Sequence, residues 1–129
     1  MVISIYGGSG SGKTTLATAL QQYFFNDGRG CYLLSGDDYP HRIPKRNDEE
    51  QLRVYKEAGE DGLRGYLGTK KEIDFARINE VLAAFHEGKD TITLRHLERE
   101  DGEISSEDTD FSGTSVLLLE WTHGGSDDL

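Results

Sequence analysis

The chain has 129 residues, 35% of them hydrophobic, which suits a single domain with a modest core. Its net charge of −10 disfavours unspecific binding to nucleic acid or an anionic membrane, because those surfaces are also negative. No apolar run approaches the roughly 18 residues of a membrane span, the N-terminus lacks a basic flank, and a single cysteine, Cys31, excludes an internal disulfide. We therefore expect a soluble, cytoplasmic protein with no nucleic-acid or membrane partner, and we interpret Cys31 as a buried core thiol.

The first half of the chain alternates short apolar runs with helical periodicity. Val2 to Tyr6 is apolar, β-branched and followed by glycines, which predicts a buried strand. From Lys13 the period becomes helical, with one apolar face and a stop at Gly28. The residues of that face are Leu16, Ala17, Leu20, Tyr23 and Phe24. Cys31 to Leu34 predicts a second strand.

The second half continues the alternation. Helices are predicted at Asp48 to Ala58, where Leu52, Tyr55 and Ala58 share a face, and at Asp74 to Glu87. Thr91 to Leu97, Asp101-Gly102 and Glu103-Ile104 predict a hairpin, although the acidic run from Glu98 to Asp110 has the composition of a solvated surface. Val116 to Glu120 predicts a third buried strand. The pattern as a whole predicts one α/β domain over residues 1–129, a parallel sheet with helices on both faces.

The strongest functional signal is the segment Gly7 to Thr14, which fits the P-loop pattern G-x-x-x-x-G-K-[ST] in full, between a strand and a helix. Glycines let successive backbone N–H groups turn inward around an anion, and the helix N-terminus adds partial positive charge. The motif therefore predicts bound ATP or GTP. The predicted nucleotide-binding residues are Gly8, Ser9, Gly10, Ser11, Gly12, Lys13, Thr14 and Thr15. Lys13 is expected to reach the β- and γ-phosphates, the Thr14 hydroxyl to bind Mg²⁺, and Thr15 to contact the α-phosphate or cap the helix.

Acidic residues follow the second and third strands. Ligands of open parallel sheets bind beyond the carboxyl ends of the strands, so Asp37 is expected to face the P-loop. There it could take a proton from an acceptor hydroxyl or hold Mg²⁺ through water. Asp38 is adjacent, and only one of the two is expected to act; which of them is the base stays open. Glu120 ends an apolar strand, the usual Walker B pattern, and is expected to order Mg²⁺ together with Thr14.

Weaker candidates lie near these residues in the sequence. The basic cluster Arg42, Lys45 and Arg46 could meet an anionic acceptor or could simply be solvated. His123 is a candidate ligand contact or a structural histidine, and Trp121 is expected to pack.

These motifs together resemble the uridine kinase and phosphoribulokinase-like group of P-loop kinases, and secondly adenylylsulfate kinases. The resemblance rests on the P-loop, on Ser35-Gly36-Asp37-Asp38-Tyr39 and on Leu118-Leu119-Glu120. It implies an ATP- and Mg²⁺-dependent kinase that phosphorylates a small-molecule hydroxyl, with Asp37 aligned to the family's base and Glu120 to its Walker B residue. The alternatives are a nucleotide-binding module without catalysis and a P-loop ATPase that uses water.

The sequence also departs from that group. The aromatic-Asp-Phe acceptor motif of uridine kinases is not evident between Gly88 and Ser112, and Trp121 stands where glycine is common, so a nucleoside acceptor is not supported. The family continues beyond Glu120 with an arginine-bearing lid and further strands. In the family the first strand lies between the Walker B strand and a later one. We therefore expect an incomplete nucleoside-kinase-like domain that transfers phosphate poorly and dimerises through the exposed edge of Val2 to Tyr6, unless Thr91 to Leu97 covers it.

Overall fold

The computed structural model describes residues 1–8, 10–98, 103–126 and 128–129. Strand β1 is Val2–Ile5, helix α1 is Lys13–Asn26 and strand β2 is Gly30–Ser35. A single 3₁₀ turn, Gly36–Asp38, then leads to helices α2, Pro44–Arg64, and α3, Phe75–His86. Strands β3, Thr91–Glu98, β4, Glu103–Asp110, and β5, Thr114–Glu120, complete the order. The predicted alternation of strands and helices is confirmed.

Two separate sheets form within the described residues. β5 is the middle strand of a parallel sheet of order β1-β5-β2, and β3 pairs with β4 as an antiparallel hairpin. Ile5 of β1 and Ser35 of β2 are both register partners of Glu120 in β5. The carboxyl ends of all three parallel strands therefore lie at one level.

The core divides at β5, whose side chains alternate between the two faces of the sheet. Val116 and Leu118 pack with Phe24 of α1 on one face. Leu117 and Leu119 pack on the other face with residues of α3 and the hairpin, including Ile78 and Leu94. Burial on both faces explains why β5 reads as a continuous apolar run. The predicted covering of both faces is therefore confirmed, with the hairpin sharing one of them with α3.

β1 lies at the edge of the sheet, as predicted. Among the described residues β5 is its partner on one side, and no strand pairs with the other side. The segment Thr91–Glu98, proposed from the sequence as a cover for that edge, pairs with β4 instead.

Helix α2 differs most from the sequence prediction. It begins at Pro44 rather than Asp48, because proline suits the first helical position, where its missing N–H costs nothing. Gly59 interrupts it with non-helical angles, φ 66° and ψ −157°, so the first helical segment ends at Ala58 as predicted and a second segment continues to Arg64. None of its residues, all of which are described, is buried; the predicted apolar face, which includes Leu52 and Tyr55, is about half exposed. Polar contacts must therefore hold this helix in place.

The apolar face predicted for α1 needs correction. Ala17 and Phe24 are buried, but Leu16 and Tyr23 are 52% and 63% exposed, because the helix covers β5 and β2 with a narrower stripe. The solvated surface predicted for the acidic run is confirmed at Glu107, Asp108 and Asp110, which are exposed on strand β4. The predicted Asp101-Gly102 turn lies outside the described residues. No helix in the described part of the chain is long and apolar enough to cross a membrane.

Candidate nucleotide and acceptor site

The loop between β1 and α1 has the geometry of an anion cradle. Gly10 and Gly12 have φ values of 79° and 89°, in the left-handed region that favours glycine. A Cβ atom on Gly8, Gly10 or Gly12 would meet no atom within 4 Å, so these backbones border open space. The loop closes on itself through a hydrogen bond from Ser11 N to Gly8 O, at 3.2 Å.

The start of α1 adds unpaired donors to this cradle. Gly12 is the N-cap residue, and no described side chain caps the helix. The first turn also lacks an acidic side chain, so its N–H groups and the positive end of the helix dipole are available to an anion. Thr15 is exposed in that turn and does not cap the helix. Of its two predicted roles, the contact with the α-phosphate stays a prediction. Ser9 lies outside the described residues.

Lys13 and Thr14 stand at the junction of loop and helix. Lys13 Nζ donates to Gly8 O at 3.2 Å, so the ammonium group folds over the loop that it is predicted to serve. Thr14 Oγ1 donates to Glu120 Oε1 at 3.2 Å, which joins the P-loop to the end of β5. A hydroxyl and a carboxylate are hard oxygen ligands suited to Mg²⁺, which usually keeps several waters and takes one or two carboxylates. The described residues offer no larger cluster of acidic or histidine ligands at this site, so the ligand set fits Mg²⁺ held largely by water and phosphate.

Asp37 and Asp38 have different surroundings. Asp37 is exposed and lines a cavity of about 240 Å³, while its backbone N–H donates to Ser35 Oγ. Asp38 is half-buried, and its Oδ1 accepts from Leu97 N at 3.3 Å. Asp38 thus docks the β3 strand onto the turn after β2. Of the two carboxylates, Asp37 is the exposed one and the one that lines the cavity.

The turn that carries Asp37 is in close contact with Trp121 at Gly36. Trp121 follows Glu120 directly, is 3% exposed, and packs its ring on Phe75 with 5.5 Å between centroids. A Cβ on Gly36 would lie 2.1 Å from Trp121 Cδ2, so only glycine fits where the indole meets this turn. The predicted packing role of Trp121 is confirmed, and the tryptophan also lines the cavity.

The cavity beside Asp37 has more acidic than basic side chains in its wall, although apolar atoms form the larger part of its lining. Its ionised side chains are those of Asp37, Asp48, Glu72 and Arg42, and Asn47 and His123 also line it. The Arg42 guanidinium is already engaged, because Nη1 donates at 3.2 Å to both Tyr66 Oη and Lys71 O.

Only some of the other candidate residues from the sequence line this cavity. Lys45 and Arg46 are exposed on the first turn of α2 and do not line the cavity, so the predicted basic cluster does not act there as a unit. His123 does line it, edge-on to Trp121. The sequence analysis missed Asn47, Asp48 and Glu72. They come from two segments whose proximity no local motif signals.

The single cysteine was interpreted from the sequence as a buried core thiol. Cys31 is half-buried and packs beside the Phe24 cluster, and burial raises the pKa of its thiol.

The fold and the site define an α/β nucleotide-binding protein with a P-loop at the carboxyl edge of its parallel sheet. Comparison with known sequences makes the class more specific. A sequence model of the Phosphoribulokinase / Uridine kinase family matches residues 2–128, and the chain belongs to this family. Membership of this family supports a small-molecule phosphotransferase that uses a nucleotide.

Two curated relatives are similar to the chain over very different lengths. A bifunctional alpha-galactosidase/sucrose kinase, AgaSK, of Mediterraneibacter gnavus is 90% identical over 129 residues, which is 100% of this chain and 14% of that protein. Adenylyl-sulfate kinase 1 of Arabidopsis thaliana is 52% identical over 42 residues, 33% of this chain and 15% of that protein. The chain therefore spans about one seventh of either relative.

Solved structures agree on the fold. A possible uridine kinase from Bacillus stearothermophilus superposes with a TM-score of 0.64 at 24% identity, covering 93% of this chain and 59% of that one. A phosphoribulokinase from Rhodobacter spheroides gives a TM-score of 0.73 at 18% identity, covering 95% and 43%. The P-loop kinase fold predicted from the sequence is confirmed.

Proposed function

We propose that this chain binds ATP with Mg²⁺ and transfers the γ-phosphate to a hydroxyl group of a neutral sugar. The observation that carries the proposal is the alignment of three strand ends. β1 leads into the phosphate cradle, β5 ends in Glu120, and β2 ends at the turn bearing Asp37, with Ile5, Glu120 and Ser35 in register. Neighbouring strands lie about 4.8 Å apart. The phosphate cradle therefore lies on one side of Glu120 and Asp37 on the other, each about one strand spacing away.

Each residue has a role that follows from its contacts. The P-loop N–H groups and the Lys13 ammonium would bind the phosphates and stabilise charge on the transferred group. Thr14 and Glu120 would hold Mg²⁺, which when bound neutralises phosphate charge. Asp37 would accept the proton of the acceptor hydroxyl while the hydroxyl oxygen forms the new bond to the γ-phosphorus. The bond between the γ-phosphorus and the bridging oxygen would break, and ADP would leave with its electron pair.

The cavity favours a neutral acceptor over an anionic one. Three carboxylates and one engaged guanidinium leave an excess of negative charge, which would repel a phosphorylated or sulfated acceptor. The near-identical region of a protein named as a sucrose kinase supports a sugar as the acceptor. A nucleoside acceptor remains unsupported.

A single-turnover experiment tests the proposal. With the chain in excess over γ-labelled ATP and sucrose present, label should move to the sugar, and Asp37→Asn should stop transfer while ATP affinity stays unchanged. Asp38→Asn is the matched control and should retain transfer, because the asparagine Oδ1 can still accept from Leu97 N. ATP binding with no transfer to sucrose or other neutral sugars would favour a non-catalytic binding module. Phosphate release without acceptor would indicate an ATPase.

We also propose that the chain works in the cytoplasm without nucleic-acid or membrane partners and forms a homodimer through the open edge of β1. The net charge supports the first part, because a chain of charge −10 is repelled by both polyanionic surfaces. The unpaired side of β1 supports the second.

A further inference from the structure

Asn47 lies at the wall of the acceptor cavity, within a chain of hydrogen bonds that fixes its amide. Tyr66 Oη donates to Asn47 Oδ1 at 2.6 Å, and Asn47 Nδ2 donates to Glu72 Oε2 at 3.2 Å. Asn47 lines the cavity together with Asp37. The amide is thus held at both its oxygen and its nitrogen.

The chemistry of its neighbours gives this chain of hydrogen bonds one direction. Arg42 can only donate, so the Tyr66 oxygen accepts from Arg42 Nη1 and the Tyr66 proton is directed to Asn47. The Glu72 carboxylate can only accept when ionised, so the amide nitrogen must face it. Burial and the Glu72 charge raise the pKa of Tyr66, against a lowering by Arg42, which keeps its hydroxyl protonated and donating.

Glu72 is itself firmly held. Besides Asn47, it accepts from Gln51 Nε2 at 2.9 Å and from the backbone N–H of Gly68 at 3.0 Å. Asn47 and Gln51 belong to α2, a fully described helix with no buried residue. Glu72 precedes Ile73, which is 5% exposed in the core. The carboxylate therefore ties a helix that lacks hydrophobic anchoring to a rigid part of the fold.

These contacts leave Asn47 with spare capacity of a particular kind. A primary amide has two N–H donors and two acceptor lone pairs, and the contacts among the described residues use one of each. One donor and one acceptor remain at the cavity wall. A hydroxyl group both donates and accepts, so it can satisfy both, whereas a phosphate or carboxylate oxygen can satisfy only the donor.

We propose that Asn47 is an acceptor-binding residue that recognises a sugar hydroxyl, and that Glu72 and Tyr66 are positioning residues that orient its amide. This proposal rests on the proposed function, because it assumes that the cavity beside Asp37 receives the acceptor. It assigns part of the discrimination between neutral and phosphorylated acceptors to a residue on α2, which is separate from the P-loop, Asp37 and Glu120.

Calorimetric titration separates this proposal from the proposed function. Sucrose is titrated into the full chain with and without Mg²⁺ and a non-hydrolysable ATP analogue, and the analogue is titrated separately. Asn47→Ala should weaken sucrose binding by about tenfold, the effect of one lost hydrogen bond with its partners left unpaired, and should leave nucleotide affinity unchanged. Tyr66→Phe, which keeps the buried ring, should weaken sucrose binding by a smaller factor.

Gln22→Ala is the matched control, since it removes a side-chain amide that donates to Asn26 Oδ1 at 2.9 Å on α1 and does not line the cavity, and it should bind sucrose normally. If Asn47→Ala fails to fold, Asn47→Leu keeps the size of the side chain without any donor or acceptor, and should weaken sucrose binding by a similar factor. Unchanged sucrose affinity in the folded variant would overturn the role of Asn47 and leave the proposed function intact. A wild-type chain that binds nucleotide but neither sucrose nor glucose would overturn both this inference and the sugar acceptor.

Discussion

Replacement of Lys13 by alanine tests the phosphate site most directly. In the structure the ammonium group is partly exposed and lies over the loop, 3.2 Å from Gly8 O, and it forms no salt bridge with a described carboxylate. When a triphosphate binds, this group would exchange a carbonyl partner for anionic oxygens. The gain is the difference between a neutral and a charge-assisted acceptor, so it is smaller than the full strength of the new contact.

A hydrogen bond between charged groups contributes about 1.5–3 kcal/mol. Because Lys13 is partly exposed and must first release Gly8, we take about 2 kcal/mol, which corresponds to about thirtyfold in the dissociation constant of ATP. Calorimetric titration with Mg²⁺-ATP measures this change in the dissociation constant. Lys89→Ala is the matched control: it removes the same charge from an exposed lysine paired with Glu87, so it isolates the local contact from the change in net charge. Equal ATP affinity in the wild type and in Lys13→Ala would refute the assignment of the loop.

Three further perturbations test separate parts of the fold and site. Glu120→Gln should reduce the dependence of ATP affinity on Mg²⁺ concentration, measured by titration at several Mg²⁺ levels; an unchanged dependence would make the contact with Thr14 purely structural. Gly36→Ala should cost about 1–3 kcal/mol in urea unfolding, because its Cβ would overlap Trp121, and an unchanged midpoint would contradict that packing. In sedimentation, the wild type should dimerise with rising concentration, Ser4→Pro should be monomeric, and Ser4→Ala, which keeps the edge N–H, should still dimerise. A wild type that stays monomeric would rule out the edge interface.

The phosphate side of the site was predictable because it is contiguous in sequence. The Gly7 to Thr14 segment provides its own turn, donors and helix N-terminus, so a local pattern contains nearly all of the geometry. Glu120 was predictable for a related reason, since an apolar run that ends in an acid places the carboxylate at the end of a buried strand. The structure adds the hydrogen bond between Thr14 and Glu120, which joins these two predictions.

The acceptor side could not be predicted in the same way. Its wall combines the turn after β2, the first turns of α2, the loop before α3 and the segment after β5, and it depends on side-chain contacts such as that between Asn47 and Glu72, 25 residues apart. The apolar periodicity of α2 was misleading as well. It predicted a packed face, whereas the helix is held by amide–carboxylate hydrogen bonds that produce no hydrophobic pattern.

This contrast has a physical basis that bears on specificity. Every nucleoside triphosphate presents the same phosphates, so backbone N–H groups fixed by glycine conformation suffice to bind them, and backbone geometry leaves a signature in sequence. An acceptor must be distinguished from similar molecules by the number and direction of its donors and acceptors, and only oriented side chains provide that. Orientation in turn requires partners such as Tyr66 and Glu72, which hold the amide of Asn47. Acceptor choice in this chain is therefore expected to change through the residues that hold Asn47 as well as through Asn47 itself, while the P-loop stays the same.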